Sequence, residues 1–383
     1  MKVFFFIPNL QQGGSERQIL ATLNSLPPHF EPILCLYHDE VHYRRELPAD
    51  QPRYVLGSPK MTLRGFVELV RILRREQPDI VHCYRDKANF WGRLAARIAG
   101  VPVVISSCRT RMLELRYLLS ERVMSEMASL VVVNSVGTAE ELIKLAQVRP
   151  ERIQVIHNAL DTEFFRPPSA AERAEARERW GLAEGQRALL FAGRISLQKH
   201  QLGALLALDE LAREDALPDD VVVLLAGRDR DPRIAKLVHR VAARRELAPR
   251  VRALGSQRDI RSLYWASDLL LMPSLWEGLP NAVLEAQACA LPALVSHAAN
   301  RDSIVEPGVT GVEVPTAERA ALREALRTLL AAPPERWQQM GAAGRQRMLS
   351  RFAPDRIQGE LLATYERLLS EHAALASTRG SLS

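Results

Sequence analysis

The feature that most limits what this chain can fold into is a rhythm. Short runs of β-branched, aliphatic and aromatic residues alternate with longer stretches of helical period along nearly the whole sequence, the pattern of parallel sheets with helical crossovers. The rhythm predicts an α/β protein with strands at residues 2–7, 33–37, 80–83, 103–106, 130–134 and 153–156 and helices at 14–25, 62–77, 88–99 and 138–145. After a turn-rich stretch at 161–168 the pattern starts afresh, with strands at 188–192, 221–226, 251–254, 269–272, 293–296 and 311–314. A pattern that runs twice predicts two Rossmann-like parallel-sheet domains of similar size, 1–160 and 168–354, facing each other across a cleft. Ligands of open α/β sheets bind at the carboxyl ends of the strands, so the cleft is the expected site. The tail reads as helices at 336–350 and 355–370, before a frayed Ser- and Gly-containing end.

Composition narrows the function classes. With 383 residues, 47% hydrophobic and 25% charged, the chain is long enough for more than one core and too apolar to be largely disordered. Its longest apolar runs, such as 3–7 and 269–272, fall far short of the roughly 18 residues that a membrane span requires, and no signal peptide is expected. The four cysteines, Cys35, Cys83, Cys108 and Cys289, form no CxxC pair and the nine histidines no HExxH spacing, which predicts a reducing cytoplasmic location and no structural metal. A net charge of +6 is too mild to imply nucleic acid. Its distribution is informative: residues 64–122 hold 12 Lys or Arg against 6 Asp or Glu, so the whole surplus sits on the first half.

Three segments carry chemistry. The first strand runs through Pro8 and Asn9 to Gly13-Gly14-Ser15-Glu16-Arg17 at the start of a helix, where backbone can approach an anion closely. A tight turn with Ser15 as helix cap explains the same residues, and adjacent glycines are not a GxGxxG fingerprint. Beyond strand 188–192, Arg194 and Lys199 place two cations five residues apart, suited to a diphosphate and to the charge that grows on it as it leaves. A solvated surface loop is the plainer alternative. The third segment runs from Pro273 to Pro292: Glu277 lies in a turn with Gly278, Leu279 and Pro280, and Glu285 lies about one turn into a helix that Asn281 can cap. Glu285 can accept from the two hydroxyls of a ribose, and the helix start suits a phosphate or sugar hydroxyl. Taken singly, Glu277 as a turn residue and Glu285 as partner of the helix dipole would also serve.

Taken together and in order, these segments resemble the retaining GT-B glycosyltransferases of family 4, over nearly the full chain. Gly13 to Arg17 is similar to the family's first loop, Ile156-His157-Asn158-Ala159-Leu160-Asp161 to its interdomain linker, Gly193 to Lys199 to its cation loop, and Glu277 to Glu285 to its E-x7-E motif. The flanking Ala266-Ser267-Asp268-Leu269, Pro273-Ser274 and Glu306-Pro307-Gly308-Val309-Thr310-Gly311 are similar as well. The resemblance implies that Arg194 and Lys199 bind the donor diphosphate in place of a metal. It assigns the nucleotide ribose to Glu285, and the donor sugar to Glu277 with the backbone of Gly278, Leu279, Pro280 and Asn281. Gly13 and Gly14 would let the first domain close on the phosphates, and a closing helix at about 355–372 is expected to pack back on that domain.

There are departures. Cys108 stands where many members have a histidine that contacts the donor sugar, so either Arg109 or Ser107 substitutes or transfer proceeds without that contact. Leu279-Pro280 replaces the usual Phe-Gly, and Leu225-Ala226-Gly227-Arg228-Asp229 lacks a second glycine. The expected activity is metal-independent, hexosyl-type transfer with retained configuration, from a nucleotide-diphosphate sugar to a glycan or lipid-linked acceptor in cell-surface polysaccharide or glycolipid assembly. No cofactor and no nucleic acid are expected. An epimerase or phosphorylase on the same fold, or an inactive nucleotide-sugar-binding protein, are the alternatives. Residues 109–127 interleave Arg111, Arg116 and Arg122 with Met112, Leu115, Leu118, Leu119, Val123 and Met127. That pattern fits either an anionic membrane surface on the inner face of the plasma membrane or an ordinary buried helix flank, with Glu114, Glu121 and Glu126 diluting the charge.

Overall fold

The computed structural model describes residues 1–11, 14–42, 47–48, 50–109 and 115–380. The chain divides into two compact units, residues 1–159 with 354–383, and residues 160–353. Unit 1 holds a parallel sheet of β1 (Lys2–Ile7), β2 (Glu31–Leu36), β3 (Arg53–Val55), β4 (Ile80–Tyr84), β5 (Val103–Cys108), β6 (Leu130–Val133) and β7 (Ile153–Val155), in the order β3-β2-β1-β4-β5-β6-β7. Its helices are α1 (Gly14–Ser25), α2 (Leu63–Glu76), α3 (Asp86–Ala99), α4 (Leu115–Met124), α5 (Val136–Lys144) and the C-terminal helix Pro354–Gly380.

A parallel strand covered on both faces must be apolar on both, and Val3, Phe4, Phe5, Phe6 and Ile7 are all fully buried. Alternation sends Val3, Phe5 and Ile7 to a core shared with Ile19 of α1 and with Ile357, Leu361 and Tyr365 of the C-terminal helix. Phe4 and Phe6 face Leu69 and Leu73 of α2 and Ala95 of α3. Thr62, expected inside α2, instead caps it, its hydroxyl accepting from Gly65 N at 3.0 Å. Helix α1 starts at Gly14, one residue before Ser15. The C-terminal helix runs on to Gly380, well past the expected end at 370. Strand β3 was not foreseen: three residues at the sheet edge, exposed on either side of Tyr54, carry no apolar alternation to read.

Unit 2 repeats the plan with β8 (Arg187–Ala192), β9 (Val221–Ala226), β10 (Val251–Gly255), β11 (Leu269–Met272), β12 (Ala293–Ser296) and β13 (Gly311–Val314), all parallel, in the order β10-β9-β8-β11-β12-β13. Helices α6 (Ala170–Arg179), α7 (Gln201–Arg213), α8 (Pro232–Ala242), α9 (Ile260–Ala266), α10 (Asn281–Ala288), α11 (Arg319–Ala331) and α12 (Pro334–Arg351) cover it. One core lies on each face of the sheet. Residues 160–168 belong to this unit: Arg345 Nη1 donates to the carbonyls of Thr162 (2.9 Å) and Phe165 (2.8 Å), and Trp265 Nε1 donates to Arg166 O at 2.7 Å. In each sheet the strand order reverses once, between β1 and β4 in unit 1 and between β8 and β11 in unit 2. Ligand crevices of doubly wound sheets open at the carboxyl ends of such a pair.

Candidate active site

In unit 2 the loops that leave the carboxyl ends of β8 and β11 are tied together. The Lys199 ammonium pairs with Glu277 Oε1 at 2.7 Å, the two side chains being 14% and 7% exposed. Gln198 Nε2 donates to Glu277 Oε2 at 3.3 Å and to Trp276 O at 3.1 Å, and Leu275 N donates to Gln198 O at 2.8 Å. The first glutamate of E-x7-E and the lysine of the cation loop are therefore one cluster at the reversal point of the sheet. Gln198, which the sequence reading passed over, holds the second oxygen of the same carboxylate.

The β8 loop owes its course to close backbone packing. Gly193 N donates to Ala226 O at 2.9 Å and Ile195 N to Arg228 O at 3.0 Å. A Cβ on Gly227 would come within 2.0 Å of Gly193 O, so only glycine fits there. Gly227 thus works through its backbone, shaping the loop beneath the cations. Arg194 is exposed and makes no ion pair with a described residue; its carbonyl accepts from Gln201 Nε2 at 2.9 Å. His200 closes the loop in a left-handed conformation, φ 54°, immediately before α7, a position that costs a non-glycine residue about 1–2 kcal/mol.

After β11, Ser274 O accepts from Ser296 Oγ at 2.5 Å. Leu279 is 8% exposed and its side chain joins the core below, so what it offers a ligand is backbone. Pro280, and not Asn281, occupies the position before α10: with φ −78° and ψ 90° it is extended, and it has no side-chain donor or acceptor to cap the helix. Asn281 is the first helical residue and is exposed, so the expected cap is corrected. Glu285 lies on the first turns of α10, and its Oε2 accepts from the Tyr264 hydroxyl at 2.8 Å. Tyr264, 1% exposed, is a second residue that the sequence reading missed.

Unit 1 has a counterpart at its own reversal point. Gly13 lies outside the described residues, and Gly14 begins α1. Two residues on, Glu16 is buried at 4% exposure and pairs with Arg85 Nη1 at 3.1 Å, joining α1 to the residue that follows β4. Next to them, His82 is sealed between the Tyr365 hydroxyl (Nδ1, 2.6 Å) and Ser107 Oγ (Nε2, 2.8 Å); burial holds its pKa well below the ordinary histidine value, so the ring is neutral. The Cys108 thiol points to the opposite face of the sheet, 1% exposed and 3.6 Å from Asn89 Nδ2, and burial pushes its pKa well above the usual thiol value. With Ser107 engaged and Cys108 turned inward, Arg109 is the polar residue at this strand end, its guanidinium 5.5 Å over the Tyr84 ring and its Nη1 donating to Asn158 Oδ1 at 2.6 Å.

The basic segment also looks different in the fold. Arg111, Met112 and Glu114 lie outside the described residues. Glu121 does not dilute a surface: it is buried in a bidentate pair with the fully buried Arg93 (3.0 and 2.7 Å), pinning α4 to α3. Glu126 is spent on Arg149 and Arg152. On α4, Leu119 and Val123 are exposed one turn apart, beside exposed Arg122. Among the described residues no helix is long and apolar enough to cross a membrane, and no three His, Cys, Asp or Glu side chains could hold a metal ion.

Comparison with known proteins bears on both units. Residues 172–347 match the family model for glycosyl transferases group 1, and residues 12–164 that for glycosyltransferase family 4. A UDP-Gal:alpha-D-GlcNAc-diphosphoundecaprenol alpha-1,3-galactosyltransferase of Escherichia coli is 30% identical over 253 residues, 64% of this chain and 64% of its own length. The match therefore spans just under two thirds of that relative. An alpha-maltose-1-phosphate synthase of Mycolicibacterium smegmatis is 27% identical over 343 residues, 82% of this chain and 87% of its own. Among solved structures, Anabaena Alr3699/HepE in complex with UDP superposes with a TM-score of 0.82 at 21% identity, covering 96% of this chain and 100% of that one. The sheets and helices of the two units are those of the GT-B fold.

Proposed function

For a chain that belongs to the group 1, family 4 glycosyl transferases, we propose retaining transfer of a hexose-type sugar from a nucleotide-diphosphate donor to an acceptor hydroxyl, without a metal ion. The observation that carries this is the Lys199–Glu277 pair at 2.7 Å, which brings two loops of the expected chemistry together at the reversal point of the unit 2 sheet. Exposed Arg194 and, beside it, Lys199 bind the diphosphate and stabilise the negative charge that grows on it. Glu277 and the backbone of Gly278 to Asn281 hold the sugar, Glu285 the ribose.

In the reaction, the bond from the anomeric carbon to the diphosphate oxygen breaks as the acceptor oxygen attacks the same face. The acceptor's proton passes to the departing diphosphate, so charge and protons balance and configuration is retained. Lys199 reaches the diphosphate from its bond to Glu277, whose carboxylate holds the ammonium in place until the ligand arrives. The acceptor is a glycan or a lipid-linked sugar, in polysaccharide or glycolipid assembly at the cytoplasmic side of a membrane. Among the described residues of the basic segment, exposed Leu119, Arg122 and Val123 on α4 would meet an anionic bilayer.

The test is release of nucleoside diphosphate from a panel of UDP-, GDP- and ADP-sugars, with the anomeric configuration of the product read by NMR. Turnover with one donor and a retained α-linkage is expected. Binding without turnover on any donor and acceptor would leave only a nucleotide-sugar-binding protein, and an inverted product would overturn the mechanism.

A further inference from the structure

The proposed ribose contact depends on where one flexible carboxylate points, and the fold supplies a device that fixes it. We propose that Tyr264 is a positioning residue for nucleotide binding: by donating its hydroxyl hydrogen to Glu285 Oε2 at 2.8 Å, it sets the rotamer and the plane of the Glu285 carboxylate. This rests on the reading of Glu285 given above.

Tyr264 is suited to the task on three counts. It is 1% exposed, so its hydroxyl cannot exchange Glu285 for bulk water without cost. Burial, reinforced by the Glu285 charge, raises its pKa well above the ordinary phenol value, which keeps the hydroxyl protonated and able to donate. Finally, the helix that presents it is anchored on several sides. Asp259 Oδ1 accepts from Ser262 N at 3.2 Å, Trp180 Nε1 donates to Ser262 Oγ at 3.0 Å, and Arg173 Nη1 donates to Trp265 O at 2.6 Å. The segment that opens unit 2 packs on the same helix: the Phe165 ring meets Tyr264 edge-on at 6.2 Å, Trp265 Nε1 donates to Arg166 O, and the Arg261 guanidinium sits 4.3 Å over Phe164. The Tyr264 hydroxyl thus ties the carboxylate to a frame built from α6, α9 and residues 160–168.

Glutamate has three side-chain torsions, and any freedom the tyrosine bond removes beforehand is freedom that a ribose need not restrict on binding. Tyr264→Phe removes one oxygen and leaves the packing in place. Calorimetry on the full chain with UDP, GDP and ADP, and with the 2′-deoxy form of whichever binds most tightly, reads the effect. Affinity for the ribonucleotide should fall about three- to tenfold in Tyr264→Phe. The preference for the ribonucleotide over its 2′-deoxy form should shrink, which a purely structural tyrosine would not alter. In the Glu285→Ala background, Tyr264→Phe should add less than about twofold, because the group it positions is gone. Should Tyr264→Phe fail to fold, Glu285→Asp draws the carboxylate back from the hydroxyl while keeping its charge, and should lose affinity and 2′-hydroxyl preference likewise. Wild-type affinity and preference in Tyr264→Phe, or in Glu285→Asp, with Glu285→Ala impaired would overturn the positioning role alone. Unchanged affinity in Glu285→Ala would instead bring down the ribose assignment on which it rests.

Discussion

Replacing Lys199 by methionine separates what the Lys199–Glu277 pair does for the fold from what it does for chemistry. Methionine keeps the apolar stem that lies over Gly193, where a Cβ would stand 3.3 Å from Lys199 Cε, and removes only the charge. Glu277, with its side chain 7% exposed, then keeps a negative charge whose remaining donor is Gln198 at 3.3 Å. Truncating one partner of a buried pair costs about 3–5 kcal/mol. The surviving hydrogen bond and the 14% exposure of Lys199 place this case lower, at about 2–3 kcal/mol. For a domain of this size that is a fall in Tm of roughly 4–12 °C. Turnover should drop about 100-fold or more, some 2.7 kcal/mol of transition-state stabilisation, since the leaving diphosphate loses a cation. The double variant Lys199→Met/Glu277→Gln leaves no unpaired charge and should recover most of the stability, to within about 1 kcal/mol of wild type. It should recover none of the turnover. Thermal melts and nucleoside-diphosphate release measure the two quantities on the same samples. Turnover within threefold of wild type in the single variant, or turnover that returns with stability in the double, would refute a chemical role for Lys199.

Arg194→Ala should lower turnover by a similar factor of roughly 100 with Tm unchanged, because the side chain is exposed and makes no ion pair with a described residue. Cys108→Ser should leave activity within a few fold, and the wild-type thiol should resist alkylation in the native state, as expected of a buried, protonated sulfur; rapid inactivation by thiol reagents would contradict this. Arg93→Met strands the buried Glu121 and should destabilise unit 1 by about 3–5 kcal/mol in a denaturant titration, while Arg93→Met/Glu121→Leu regains most of it. Vesicle co-sedimentation should rise with anionic lipid, fall with salt and weaken in Leu119→Ser/Val123→Ser, whereas binding indifferent to lipid charge would remove the membrane surface from the account.

Much of this was legible in the sequence, for reasons that can be named. Strands β1, β9, β11, β12 and β13 fall on the expected residues, and for β9 and β11 the reason is that parallel strands buried on both faces leave unbroken apolar runs, as in Leu269 to Met272. What the sequence did not show is pairing across the chain. Lys199 and Glu277 were each singled out, yet nothing in a separation of 78 residues says that they touch. Tyr264 and Gln198 carry no mark in the sequence, since only the fold sets them against Glu285 and Glu277. Cys108 is a different case, since period-2 alternation along β5 already places Ser106 and Cys108 on one face and Ser107 and Arg109 on the other. Pro280 displaced Asn281 from the cap because its fixed φ suits the extended residue that precedes the helix.

A diphosphate site at the reversal point of the unit 2 sheet requires that the phosphates contribute to nucleotide binding there. Calorimetric titration should compare the nucleoside diphosphate that binds best among UDP, GDP and ADP with its parent nucleoside, on the wild-type chain and on Arg194→Ala. The wild type should bind the diphosphate at least tenfold more tightly than the nucleoside, and most of that gap should vanish in Arg194→Ala while nucleoside affinity stays the same. A gap of equal size in both proteins would place the phosphates elsewhere than beside Arg194.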